Sequence, residues 1–128
     1  MVFFGANMAL KVSGFDDSAA SYKVVNNTDS DENVETNVTG SSGTLYAVDI
    51  VNGGGTHTSY TKFKLTSGTV TVGTTQPDML LVCKPNTSET YQFPTGLSFE
   101  QLTFWTTRNG EATDATAPNA TTVTLLCT

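Results

Sequence analysis

From residue 44 onward, short runs of apolar or alternating residues are separated by Gly, Pro, Asn and Asp, which favour turns. The run TLYAVDIVN (44–52) carries apolar residues on both faces of an extended chain, and DMLLVCK (78–84) is almost continuously apolar. An apolar run of this length is typical of a strand that is buried on both faces. No window of eleven residues keeps apolar positions at helical spacing, so the pattern predicts strands.

The order of these runs predicts the class of fold. Glycines at 53–55 permit a tight reversal, so 44–52 and HTSYTKFKLT (57–66) are predicted to form a β-hairpin. Pro77 and Pro94 are expected to end strands, because proline has no N–H for the ladder. The other predicted strands are ALKVSGF (9–15), SYKVVNNT (21–28), GTVTVGTT (68–75, at an edge), ETYQFPT (89–95), LSFEQLTFWTT (97–107) and TTVTLLCT (121–128). Strands at intervals of about ten residues predict an all-β, single-domain antiparallel sandwich, jelly-roll-like, with an Ig-like sandwich as the alternative.

Residues 1–43 differ from the rest of the chain. After two short strand-like runs, DSDENVETNVTGSSG (29–43) is polar and rich in turn formers, which predicts an exposed loop. We interpret 1–43 as an N-terminal arm and acidic loop that packs on or extends from the domain, and 44–128 as the β-sandwich core. The first residues, MVFFGANMALKV, have no basic segment and too short an apolar run for a secretory leader or a membrane span, so we expect neither.

Composition and charge narrow the class of partner. Thr makes up about a fifth of the 128 residues, and its β-branched, hydroxyl-bearing side chain suits a half-exposed strand. The formal net charge is −6, and the six Lys and Arg residues are scattered along the sequence, with only Lys62 and Lys64 near each other. Nucleic-acid grooves need clustered Lys and Arg, so we expect no nucleic-acid partner.

Few residues could carry chemistry. His57 is the only histidine and has no nucleophile-elbow pattern near it, and one His with two distant Cys argues against zinc. The segment from Asp29 begins like a calcium loop, but Val34 stands where the turn needs Gly, and Gly40 stands where the bidentate Glu belongs. An irregular calcium site stays open beside the alternative of a solvated acidic loop; its acids would be Asp16, Asp17, Asp29, Asp31 and Glu32.

A glycosidase would need two carboxylates facing each other across a groove. The acids of the patterned region cannot be paired from sequence alone; they include Asp49, Asp78, Glu89 and Glu100. We therefore predict no catalytic residue, no cofactor and no metal ligand, and the sequence does not indicate an enzyme.

The cysteines and aromatic residues leave alternatives open. Cys83 and Cys127 both lie in apolar, strand-like runs, where they would be either buried free thiols or a disulfide that ties down the C-terminal strand. Neighbouring Phe104 and Trp105 must point to opposite faces of a strand, so we expect one in the core and the other outside it or at an interface. Trp105 could also join Phe104, Tyr91 and Tyr46 in a platform that stacks on sugars, with core filling as the alternative.

Several of these runs together resemble a known kind of protein. The series LYAVDIVNGG, YTKFKL, TVGTTQPDMLLVCKP, YQFPTGLSF and TTVTLLCT is similar to small β-rich proteins encoded among the virion genes of tailed bacteriophages, notably phages of aquatic bacteria. The similarity covers about two thirds of the chain, in the region after residue 43. Its most specific parts are VGTT (72–75) before Pro77-Asp78, and FPTGL (93–97).

The resemblance implies a virion structural protein, and in particular a capsid decoration or cement protein that stabilises the head shell. It implies assembly in many copies, often as trimers, with the major capsid protein and copies of itself as partners, in the virion after assembly in the host cytoplasm. It implies no catalytic residue and no membrane. Exposed apolar residues usually mark interfaces, so the candidate contact residues are Phe3, Phe4, Met8, Leu10 and Trp105. The alternative for the first four is that they pack on the core of the domain itself.

Two other classes of function remain open. One is a carbohydrate-binding or adhesion module of a tail or fibre, which predicts an exposed aromatic residue beside Asp or Asn in a shallow groove. The other is a tail, neck or connector component.

Overall fold

The computed structural model describes residues 9–14 and 22–128, which form two antiparallel sheets packed face to face. The strands are β1 Leu10–Gly14, β2 Lys23–Asn27, β3 Gly43–Asn52, β4 Ser59–Lys64, β5 Met79–Cys83, β6 Thr87–Phe99, β7 Thr103–Thr107 and β8 Thr121–Cys127. One sheet has five strands in the order β1-β2-β8-β3-β6, and the other has three in the order β5-β4-β7. The predicted all-β sandwich is confirmed.

The strand pairing is that of a jelly roll, in which a long antiparallel hairpin is rolled into two sheets. From β2 onward, segments pair from the two ends of the chain inward. β2 pairs with β8, β3 pairs with β6, and β4 pairs with β5. The second segment is the extended stretch 31–38, where Glu35 exchanges two backbone hydrogen bonds of 2.8 and 3.0 Å with Phe104 of β7. β1 adds a further strand beside β2.

The stretch 29–43 is therefore more than the exposed loop that its polarity predicts. Asp31 accepts a backbone hydrogen bond from Thr106, and Val38 donates one to Leu102, so 31–38 covers the edge of β7. Ser30 and Val38 are fully buried. The polar side chains of this stretch do not indicate that it covers β7, because its hydrogen bonds to β7 come from backbone groups. The described residues of 1–43 thus contribute two strands and an edge cover to the sandwich.

Two local predictions are wrong. The expected hairpin of 44–52 with 57–66 does not form, because β3 and β4 belong to different sheets and the glycine loop carries the chain from one sheet to the other. The expected edge strand at 68–75 is instead a loop with a tight turn, in which Thr74 and Thr75 both donate backbone hydrogen bonds to Thr71. Short local patterns indicate extended or turning chain without indicating its partner.

Pro94 does not end β6, contrary to expectation. The register with β3 shifts between Leu45 and Ala47, and residues 93–96 of β6 lie opposite this shift without ladder partners. Proline costs no hydrogen bond at an unpaired position. Gly96 completes the kink with a φ of 81°, where a Cβ would collide with Thr44. β6 therefore continues to Phe99, and residues 100–102 connect it to β7.

Candidate interaction surface

The residues that the sequence suggests for a metal site do not come together. Within 9–14 and 22–128, no three His, Cys, Asp or Glu side chains are placed to hold a metal ion. His57 lies exposed in the glycine loop, and its backbone carbonyl accepts hydrogen bonds from the amides of Asn52 (2.9 Å) and Asn119 (2.8 Å). Asp31 caps its own turn by accepting from the backbone N–H of Asn33. Asp16 and Asp17 lie outside the described residues.

Of the four acids that a glycosidase pair could draw on, two share a cleft. Asp78 and Glu100 line an open depression of about 380 Å³, together with Leu65, Thr66, Ser98 and Phe99. The Asp78 carboxylate accepts hydrogen bonds from the Leu65 backbone N–H (2.7 Å) and the Thr66 hydroxyl, and it lies 3.5 Å from the Lys64 ammonium.

These partners decide the charge of Asp78. Burial raises the pKa of Asp78, but the hydrogen bonds and Lys64 together outweigh burial and hold it below the ordinary 3.8. A general acid of a glycosidase needs the opposite shift of its pKa. The hydrogen bonds from Leu65 and Thr66 instead make Asp78 a cap of the turn after β4.

Both cysteines are buried and free, which confirms the free-thiol alternative and corrects the disulfide. They lie in different sheets, on β5 and β8. The Cys83 thiol contacts the carbonyl oxygens of Ile50 (3.5 Å) and Thr87 (3.3 Å), and the Cys127 thiol contacts that of Lys23 (3.7 Å). Burial raises the pKa of Cys127 to about 11, although Lys23 acts against it.

Leu10 and Trp105 are packed inside the chain, which corrects the expectation that they contact a partner. Leu10 is 2% exposed and belongs to the core between the sheets. Trp105 is 1% exposed and lies cross-strand from Lys62, on the face of β7 opposite Phe104. The predicted split of the Phe-Trp pair is confirmed, since Phe104 is in the core between the sheets and Trp105 is buried outside it. Phe3, Phe4 and Met8 lie outside the described residues.

A polar loop covers the face that carries Trp105. Lys62 is fully buried there and donates a hydrogen bond of 2.6 Å to the carbonyl oxygen of Glu111. Gly110 lies against the ring of Tyr60, where an added Cβ would be 3.2 Å away. Burial lowers the pKa of Lys62 below 10.5, although Asp114 and Glu111 attract its charge and raise it. The loop after β7 thus removes Trp105 from any sugar platform.

In the part of the chain that the structure describes, the exposed large apolar residues instead lie on the outer face of the five-stranded sheet. Leu126 of β8 pairs with Val24 of β2 and with Ala47 of β3, which forms a row across three strands. The β-bulge between Leu45 and Ala47 turns Tyr46 to the same face. Tyr22 packs edge-on against Tyr46, with ring centroids 5.7 Å apart. We call this group the tyrosine patch: Tyr22, Val24, Tyr46, Ala47 and Leu126.

A polar row borders the tyrosine patch on the same face. It runs across four strands in register and consists of Asn26, Thr124, Asp49 and Thr90. The Asn26 amide donates to the Thr124 hydroxyl and the Thr90 hydroxyl donates to Asp49, both at 2.8 Å. Val51, which is 39% exposed, lies on the far side of this row. The patch is therefore an apolar area with a polar border along one side.

Sequence reasoning missed most of this surface. Of the five residues of the tyrosine patch, the sequence alone indicates only Tyr46 as a binding residue, together with aromatic residues that the structure buries or places elsewhere. The available signal was the alternation in VTLLC, where Leu125 is buried and Leu126 is 36% exposed. That signal becomes informative only when Val24 and Ala47 are known to flank Leu126.

No family model, curated protein or solved structure matches the chain. Among the described residues, no helix is long and apolar enough to cross a membrane.

Proposed function

We propose that this protein is a structural protein of a tailed-bacteriophage virion, and that it decorates the head shell by binding the major capsid protein through the tyrosine patch. The observation that carries the proposal is the patch itself. Tyr22 and Leu126, at 39% and 36% exposure, are two of the three exposed large apolar side chains among the described residues, and both lie in it. The sequence resemblance to phage virion proteins supports the choice of partner.

The composition of the patch suits a protein interface. Tyr is enriched among residues that dominate binding energy, and an apolar centre with a polar rim excludes water from such contacts. The five-stranded sheet provides a rigid base, because every strand except the two edges is hydrogen-bonded on both sides. A rigid surface loses little conformational entropy on binding.

The test is binding to expanded capsids that lack this protein. Leu126→Glu should weaken binding by at least tenfold, because it places a charge in the centre of the patch. Val51→Glu is the matched control, since Val51 is similarly exposed on the same face but lies beyond the polar row. Equal binding by both variants, or no binding by the native protein, would refute the proposal. Density for this fold on the tail or neck in a particle map would assign it there instead.

A second candidate function, glycan binding by a tail or fibre module, is favoured by one observation. The paired rings of Tyr22 and Tyr46 lie on the face that carries the amide of Asn26 and the carboxylate of Asp49. Aromatic rings that stack on sugars usually act with such polar groups. A glycan array separates the two functions: saturable binding that Tyr46→Ala abolishes and Tyr60→Ala retains supports the glycan module, whereas an array without signal rejects it.

A further inference from the structure

The edge strands of the two sheets differ in how far the rest of the described chain covers them. In the three-stranded sheet, the edge of β7 is covered by 31–38, and on β5 the carbonyl oxygen of Val82 accepts a hydrogen bond of 2.7 Å from the Tyr91 hydroxyl. In the five-stranded sheet, the edges are β1 and β6. An uncovered edge presents unpaired N–H and C=O groups, which can pair with another chain.

Of these two edges, β1 is protected along its length, whereas β6 has Pro94 and a kink in its second half and only the charge of Glu89 in its straight first half. β1 is only five residues long, carries the exposed Lys11 and ends at Gly14. Short length and an edge lysine both discourage pairing with another chain. β6 is thirteen residues long, has no Lys or Arg, and is interrupted only by the kink around Pro94.

The straight part of β6, Thr87–Gln92, is paired with β3 along one side only. Thr87 to Thr90 and Gln92 are all exposed. In the described chain, no backbone group of residues 88–98 forms a hydrogen bond beyond the β3 ladder. Among residues 9–14 and 22–128, the free side of β6 is thus an open ladder, and the chemistry that satisfies an open ladder is another extended backbone.

We propose that this edge binds the β6 edge of a second copy of the chain, antiparallel across a two-fold axis at Thr90. The proposal concerns self-association and does not depend on the capsid role. A two-fold axis gives a closed pair that buries both open edges, whereas an unpaired edge would invite aggregation.

The sequence of β6 selects the register. Residues that face each other across such an axis must lie on the same face of the sheet, so the two residue numbers have an even sum. Centring on Glu89 would oppose two like charges, which is destabilising, and centring on Tyr91 would bring Pro94 into the ladder. Centring on Thr90 avoids both, pairs 88–92 with its copy, and sets Glu89 beside the partner's Tyr91.

Charge variants at Thr90 test the pairing in the purified full-length protein by sedimentation velocity. We expect the native protein to form dimers, and Thr90→Lys or Thr90→Glu alone to raise the dissociation constant by about fivefold or more, because like charges then oppose each other. An equimolar mixture of the two variants should restore dimers. Thr95→Lys is the matched control, since Thr95 is exposed on the same strand beyond Pro94 and should leave dimerisation unchanged.

A cysteine variant gives a second readout. Thr90→Cys should form an intermolecular disulfide under mild oxidation, because residues opposed across an antiparallel pair have Cα atoms about 4.5–5.5 Å apart. The native thiols are buried and should not interfere. A monomeric native protein, a trimer, or equal cross-linking by Thr95→Cys would overturn the proposal. Because no capsid is present, these outcomes are independent of the shell-binding result.

Discussion

The interior of the sandwich is apolar at one end and polar at the other. The change occurs between two neighbouring residue pairs on the same two strands. On β4 and β7, Phe63 pairs with Phe104, and two residues along Thr61 pairs with Thr106. The phenylalanine end contains Leu45, Phe99 and Leu102, all 4% exposed or less. The polar end contains Ser30, Asn52, Ser59 and Thr121, none of them more than 1% exposed.

The two ends hold the fold together by different means. At the phenylalanine end, the rings of Phe63 and Phe104 lie with centroids 5.9 Å apart, and stability comes from apolar area removed from water. At the polar end, the Thr106 hydroxyl is 2.7 Å from that of Ser30 and 3.0 Å from that of Thr61. Hydrogen bonds are directional, so this end fixes where the crossing loops lie. The polar end therefore contributes directional constraints on the loops in addition to stability.

The largest expected effect is at the phenylalanine end. Phe104→Ala should lower the free energy of unfolding by about 3–5 kcal/mol, because it leaves a cavity between the sheets. Phe93→Ala is the matched control, since Phe93 is only half-buried and should cost about half as much or less. Urea unfolding followed by circular dichroism measures both. Equal losses would show that the centre of the core is not at Phe104.

The next largest effect distinguishes two asparagines, Asn52 and Asn119, that both donate hydrogen bonds to the glycine loop. The buried amide of Asn52 donates to the carbonyls of both His57 (2.9 Å) and Cys83 (3.1 Å), so Asn52→Ala should cost about 2–3 kcal/mol. Asn119→Ala removes a more exposed bond to the same His57 carbonyl and should cost about 1 kcal/mol or less. Amide exchange of residues 53–58 should accelerate more in the Asn52 variant. The reverse order would contradict the role of burial.

A smaller effect tests whether the hydroxyls act as a unit. Thr106→Val should cost about 1–2 kcal/mol, because it leaves the hydroxyls of Ser30 and Thr61 without their shared partner. The triple variant Ser30→Ala, Thr61→Val, Thr106→Val should cost less than the sum of its three single substitutions, since no unpaired hydroxyl is left. Strict additivity in urea unfolding would show that the three side chains contribute independently.

The smallest expected effect concerns the charge of Lys62, which lies outside the interior between the sheets. The pKa of Lys62 is lowered on folding, so between the folded value and 10.5 the unfolded chain binds more protons and stability rises with pH. Lys62→Met removes this contribution. Native stability minus variant stability should therefore increase as pH rises toward 10.5. Lys64→Met is the control on the same strand, and a flat difference for Lys62→Met would contradict the shift.

Sequence patterns located most strands but not their partners. β5 and β8 were predictable because apolar runs continue through them, and the Phe104–Trp105 split followed from the two-residue period of a strand. The hairpin prediction was wrong because glycines permit a reversal without specifying the sheet that follows. The cover over Trp105 was not predictable, since the loop after Thr107 is polar and contacts Lys62 through a backbone carbonyl. The tyrosine patch required the pairing of β2, β8 and β3.

The polar end of the interior also bears on how stability varies with temperature. Exposure of apolar surface on unfolding raises the heat capacity, whereas exposure of polar surface lowers it. Because buried hydroxyls and an amide fill one end of the sandwich, we expect the heat-capacity increment to fall below the usual value of about 12–15 cal/mol/K per residue. The curve of stability against temperature is then flatter, so that the free energy of unfolding changes less with temperature on either side of its maximum.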